Sequence, residues 1–180
     1  MKKHNDIKKI LFTPAEIQKG IKKLAKKISR NYAGEDLTLV SVLKGSVVFL
    51  SDLLRHIDIP CTVEFMAVSS YGEGAKSSGV VQLVMDLREN PKGRNVLLVE
   101  DILDTGLTMN YLLKNLRMRG PRTLKVCAFL DKPGNHMVKI RPDYACFSIP
   151  NHFVVGYGLD YNEHYRNLPY IGILKEQIYS

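Results

Sequence analysis

The sequence predicts an α/β fold: a mostly parallel central sheet flanked by helices, with a small hood built mainly from the C-terminal segment. Three observations carry that expectation. Short apolar runs rich in β-branched residues recur from Leu37 onward, segments with helical signals separate them, and beyond Arg141 the pattern breaks into brief pieces punctuated by proline and glycine. The length of 180 residues suits one domain able to bury a sheet core, so residues 1–180 are expected to form a single unit, with the hood drawn mainly from 141–180 plus the N-terminal segment.

The first helix is announced by Thr13-Pro14-Ala15-Glu16, which combines an N-cap, a proline at the first helical position and the acidic partner of a capping box. Ile17, Ile21, Leu24 and Ile28 follow at helical spacing, lysines occupy the other face, and Gly34 can end the helix. Strands are expected over Leu37–Leu43, Cys61–Val68, Val80–Leu87, Val96–Val99 and Leu124–Leu130, as buried parallel strands read. Helices are expected over Gly45–Ile57 and Leu107–Arg119, the second stopped by Gly120-Pro121. Tyr144–Ile149, Phe153–Tyr157 and Ile171–Leu174 are read as strands of the hood, broken by Pro150, Gly156, Gly158 and Pro169.

The net charge of +8 is local: ten of the 26 Lys and Arg fall in residues 1–30, and the remainder of the chain balances to zero. A lysine-studded helix on a neutral body reads as a solvated face rather than a nucleic-acid surface. Cys61, Cys127 and Cys146 are odd in number, lack metal-type spacing and lie in apolar stretches, which points to a reduced, cytoplasmic setting. No run reaches membrane-spanning length, and the N-terminal lysines are interleaved with apolar residues, unlike a signal peptide.

Chemistry is concentrated in Val99–Met109, VEDILDTGLTM. An apolar strand ends in Glu100-Asp101, and Asp104-Thr105-Gly106-Leu107-Thr108 leads into a helix. Ligands of open parallel sheets bind at the carboxyl ends of strands. The small and hydroxylic residues at 105, 106 and 108 let backbone N–H groups and hydroxyls converge on a phosphate at the positive end of the helix. Two carboxylates in front of that cradle suit sugar hydroxyls or a hard cation such as magnesium. Asp104 or Thr105 could equally serve as a plain N-cap. That reading leaves Glu100-Asp101 unexplained, because unpaired carboxylates at the end of an apolar strand are costly.

This segment closely resembles the phosphoribosyl-diphosphate signature of the type I phosphoribosyltransferases. Leu43-Lys44-Gly45, Ser69-Ser70-Tyr71, Asp131-Lys132 and the run Ile149–Glu163 narrow the resemblance to the hypoxanthine-guanine phosphoribosyltransferases, over roughly residues 8–175. It implies the fold of that family and transfer of a 5-phosphoribosyl group from 5-phosphoribosyl 1-diphosphate to a 6-oxopurine, giving IMP or GMP and pyrophosphate. Further implications are magnesium as cofactor, a homodimer or homotetramer, and no nucleic-acid or membrane partner.

By the same resemblance, Glu100 and Asp101 meet the ribose hydroxyls and the metal, and Asp104 performs acid–base work on the purine's imidazole ring. Thr105, Gly106, Leu107 and Thr108 surround the 5-phosphate, while Lys44, Gly45 and Arg166 meet the pyrophosphate. Lys132 donates to the 6-oxo group, so adenine should be refused; Phe153 stacks on the base, the Val154 backbone reads its edge, and Asp160 helps to hold both base and metal. Ser46 and Leu107 depart from the family's pattern beside phosphate positions, which bears on affinity more than on reaction type. Ser69, Ser70 and Tyr71 open an eleven-residue stretch with three glycines and four serines, expected to act as a lid that excludes water. The rival reading is a nucleic-acid-binding regulator on the same scaffold, for which the lysine-rich helix is the best support.

Overall fold

The computed structural model describes residues 3–70 and 81–180, with Ser70 and Val81 described by backbone alone. Most of the expected lid, from Tyr71, lies outside the described residues. Helix α1 (Pro14–Asn31) begins with the anticipated capping box: the Thr13 hydroxyl accepts from the Glu16 amide at 3.4 Å, and the Glu16 carboxylate accepts from the Thr13 amide at 2.8 Å. Its apolar stripe of Ile17, Ile21, Leu24, Ala25 and Ile28 is buried, and its lysines stay outside.

The main sheet has six strands in the order β4-β3-β2-β5-β6-β7. These are β2 (Leu37–Leu43), β3 (Cys61–Ser70), β4 (Val81–Met85), β5 (Asn95–Leu103), β6 (Thr123–Asp131) and β7 (Tyr144–Ser148). Every pairing is parallel except β3 with β4 at the edge. Because alternate residues of a strand face opposite sides, Leu39, Leu97 and Val99 enter a core covered by α1 and α2 (Ser46–Leu54). Val40, Val42, Val96 and Leu98 pack instead with Met109, Leu112 and Leu116 of α3 (Leu107–Arg117). This doubly covered sheet is why the central strands read as unbroken apolar runs.

The hood is a three-stranded antiparallel sheet, β1-β9-β8, made from β1 (Ile7–Phe12), β8 (Val154–Val155) and β9 (Ile171–Leu174). Ile7, Val155, Tyr170 and Leu174 form its own small core. Three features differ from expectation. β4, expected as a buried parallel strand, pairs antiparallel with β3 alone at the sheet edge, which leaves Val84 66% exposed. Tyr144–Ser148, expected in the hood, is instead the last parallel strand of the main sheet, with Cys127 opposite Tyr144. It lies against α1 so closely that a Cβ on Gly20 would come within 2.6 Å of the Phe147 ring. The N-terminal strand β1 was hidden because Lys8 and Lys9 interrupt its apolar residues, of which Ile7 and Ile10 pack in the hood while Leu11 and Phe12 reach the main core.

Candidate active site

The carboxyl ends of β2 and β5 meet beneath the hood. β2 turns into α2 through Leu43-Lys44-Gly45, with a cis peptide between Leu43 and Lys44. Gly45 rests against the Asp101 carboxylate, and a Cβ on Gly158, whose φ is +97°, would lie 2.1 Å from the Gly45 carbonyl oxygen. Ser46 is fully buried; its hydroxyl donates to the Val42 carbonyl and lies 2.6 Å from the Ser41 hydroxyl, so it braces the turn rather than facing a ligand.

β5 continues through Glu100 and Asp101 to Leu103, further than the apolar run suggested. Strand alternation sends the two carboxylates to opposite sides: Asp101 to Gly45, and Glu100 into a cleft of about 70 Å³ lined also by Asp104, Thr105, Gly106 and Thr108. Burial pushes the Asp101 carboxyl up to about 6, although backbone hydrogen bonds and the Arg166 guanidinium pull the other way. Burial, reinforced by Asp101, drives Glu100 well above the usual carboxylate range, and among the described residues its Oε2 is buried with no hydrogen-bond partner.

The bend between β5 and α3 is shaped by Gly106, which caps the helix in the left-handed region at φ +80°. A Cβ there would also meet Ile140 at 2.6 Å. No side chain caps α3, so the plain N-cap reading of Asp104 and Thr105 does not hold. Thr105 accepts only a long contact of 3.4 Å from the Leu107 amide. Thr105, Gly106 and Thr108 therefore line a cleft at the positive end of an 11-residue helix, a setting that favours anions.

Asp104 faces β6 and the turn that follows it. Lys132, only 5% exposed, donates through Nζ to Asp104 Oδ2 at 2.9 Å. Asn135, in the 3₁₀ turn Pro133–Asn135, donates to Asp104 Oδ1, and its own Oδ1 accepts from Asn151 at 3.1 Å. Asp131 turns the other way, to His136 at 2.9 Å.

From the hood come Phe153, Val154, Asp160 and Arg166. Phe153 is 38% exposed, stacks on Tyr179 of α4 (Glu176–Tyr179) at a centroid distance of 4.6 Å, and meets Tyr161 edge-on. Val154 begins β8 opposite Ile173. Arg166 donates to the Gly158 carbonyl at 2.8 Å and pairs with Asp160 at 2.9 Å and Glu163 at 3.4 Å. Lys44 reaches the same Glu163 carboxylate at 3.3 Å. The residues expected at the pyrophosphate thus meet through one exposed acid, carried on a turn in which Asn162, Glu163 and Tyr165 all have positive φ.

Every expected site residue outside the serine-rich stretch therefore lies on the carboxyl side of the sheet or in the hood above it. A larger cavity of about 570 Å³, lined by Glu35, Asp36, Arg94 and Arg122 among others, opens at the amino ends of the strands and is remote from this chemistry. Sequence reasoning missed Asn135, which the Pro133-Gly134 turn brings back onto Asp104, and the bridging position of Glu163.

The arrangement is that of α/β enzymes which grip a phosphorylated sugar at the carboxyl edge of a parallel sheet. Residues 8–162 match the model of the phosphoribosyl transferase domain. The chain is 51% identical over 176 residues to a hypoxanthine-guanine phosphoribosyltransferase of Streptococcus pneumoniae, covering 98% of each. It is 49% identical to one of Streptococcus agalactiae over 98% of each chain. A hypoxanthine phosphoribosyltransferase from Staphylococcus aureus superposes with a TM-score of 0.94 at 45% identity, covering 98% of this chain and 96% of that one. The chain belongs to the phosphoribosyl transferase family and, within it, to the hypoxanthine-guanine phosphoribosyltransferases. Among the described residues no helix is long and apolar enough to cross a membrane.

Proposed function

We propose that the chain is a purine-salvage transferase that moves the 5-phosphoribosyl group from 5-phosphoribosyl 1-diphosphate to hypoxanthine or guanine, releasing pyrophosphate. One observation carries the choice of substrate: a buried ammonium, Lys132, sits 2.9 Å from Asp104. An ammonium donates and never accepts, so it suits a 6-oxo oxygen and cannot satisfy a 6-amino group.

In this reading Thr105, Gly106, Leu107 and Thr108 hold the 5-phosphate, and Glu100 and Asp101 hold the ribose hydroxyls. Lys44, Gly45 and Arg166 receive the pyrophosphate, for which Glu163 must yield its two cations. Phe153 stacks on the base and the Val154 backbone reads its edge. Asp104 takes the proton that the purine's imidazole ring gives up. Ser69 and Ser70 end β3, and the lid expected beyond them lies outside the described residues.

Magnesium fits the donor set. Glu100 Oε2 is an orphaned hard oxygen, and Asp101, the next residue of β5, offers a second carboxylate on the Gly45 side; burial holds both above their usual range. Among the described residues no three acidic, His or Cys side chains enclose an ion by themselves, which suits a cation that keeps waters and substrate oxygens as ligands. Asp160 would join them only by releasing Arg166. The ion would neutralise charge on the departing pyrophosphate, a form of electrostatic stabilisation that Lys44 and Arg166 would share once Glu163 releases them. The protein is read as a cytoplasmic homodimer or homotetramer. The regulator reading has no comparable support: the lysines of α1 are exposed, as on an ordinary solvated helix face.

A panel of purine bases assayed with and without magnesium tests this proposal. Hypoxanthine and guanine should be converted and adenine refused, with turnover lost on chelation. Conversion of adenine in preference to the 6-oxopurines would overturn the reading.

A further inference from the structure

Both residues that grip Asp104 come from one short turn. Lys132 covers Oδ2, and Asn135, three residues on, covers Oδ1. The turn closes on itself through the Asn135 amide, which donates to the Lys132 carbonyl at 2.9 Å. A carboxylate only accepts, so the Asn135 amide nitrogen must face Asp104. That leaves its oxygen to the Asn151 amide at 3.1 Å, and this second bond prevents the side chain from flipping. Asn151 stands in the loop just before Phe153, so the carboxylate is referenced to the element that carries the stacking ring.

Resting on the reading that Asp104 is the base, we propose that Asn135, braced by Asn151, is a positioning residue that decides which carboxylate oxygen receives the proton. A 6-oxopurine offers Lys132 a new acceptor. As the ammonium turns to the 6-oxo oxygen, Asp104 Oδ2 is uncovered while Oδ1 stays pinned by Asn135. In an imidazole ring only the unprotonated nitrogen has a free electron pair. That nitrogen forms the bond to the anomeric carbon. The bond from this carbon to pyrophosphate breaks, its electron pair leaving on the pyrophosphate oxygen, and the proton on the other nitrogen passes to Asp104 Oδ2. A fixed carboxylate keeps this transfer within hydrogen-bond reach.

The test compares N135A, N151A and the double variant with wild type and D104N, using hypoxanthine and 5-phosphoribosyl 1-diphosphate with magnesium. Loss of one hydrogen bond to a charged group predicts that kcat of N135A falls about 10-fold while KM for the activated sugar stays at the wild-type value. N151A should fall less, and the double variant should be no worse than N135A, because Asn151 acts through Asn135. A wild-type kcat in N135A, additive losses in the double variant, or a loss confined to KM for the sugar would overturn the positioning role. Should N135A fail to fold, the exposed Asn151 decides: wild-type kcat in N151A rejects the brace. Hypoxanthine transfer by the wild type and its loss in D104N check the underlying reading separately.

Discussion

Asp101 lies so close to Gly45 that a Cβ built on that glycine would stand 1.6 Å from the carboxylate Oδ2. The contact joins the carboxyl ends of two neighbouring parallel strands, so the residue after Lys44 must be glycine for a reason of space. The Gly45→Ala variant must displace either the turn or Asp101. Displacements of about 1 Å near a reacting centre cost on the order of 10²-fold. Steady-state kinetics should show kcat/KM for the activated sugar falling by about that factor, while circular dichroism shows an intact fold.

Asp104 is held by Lys132 and Asn135 and caps no helix. General-base assistance is typically worth about 10²–10⁴-fold. Asp104→Asn should lower turnover by that order while titration calorimetry still detects binding of the product nucleotide. Unchanged turnover would remove Asp104 from the proton transfer.

Lys132 is buried and its ammonium is committed to the site. Lys132→Met keeps the aliphatic stem and removes the donor. Loss of a charged hydrogen bond of this kind predicts a fall of about 10²-fold in kcat/KM for hypoxanthine, with weaker discrimination against adenine. A competition assay with both bases reads the two effects together.

Phe153 offers an exposed ring backed by Tyr179. Base–aromatic stacking is worth about 1–3 kcal/mol, so Phe153→Leu should raise KM for the purine roughly 10-fold and leave kcat unaltered. A change confined to kcat would exclude stacking as its role.

Thr13 caps α1 far from any reacting group. Thr13→Ala should lower Tm by roughly 2–4 °C with full activity, measured by thermal denaturation. The Thr13 hydroxyl and amide hold Glu16 below its usual carboxylate range. The unfolded chain therefore binds that proton at higher pH than the folded one, and the stabilisation is present above the usual range. It is lost as pH falls through the lowered value, so the gap between wild type and variant should narrow in acid.

The elements bound by local rules were legible from residue order. The capping box set the start of α1, and the unbroken apolar runs marked β2, β5 and β6 as strands covered on both sides. VEDILDTGLTM marked the candidate sugar-phosphate pocket because a strand end, two acids and a small-residue bend are adjacent in the chain. β1 and β7 were not read correctly for a shared reason: neither shows a clean alternation of buried and exposed residues, and the sheet each joins is chosen by the surfaces it covers. Phe147 selects the main sheet by lying under Gly20 of α1.

By itself, then, the sequence determined the fold class and the family, and it marked candidate residues for acid–base and phosphate-binding chemistry, since most of these stand together in short motifs. Tertiary structure alone decided where their atoms point. Strand alternation sends Glu100 and Asp101 to opposite sides, Gly45 accommodates one of them, and a turn after β6 folds Lys132 and Asn135 onto Asp104. Those relations span tens of residues, and they exist only once burial of the two cores has brought the strand ends together.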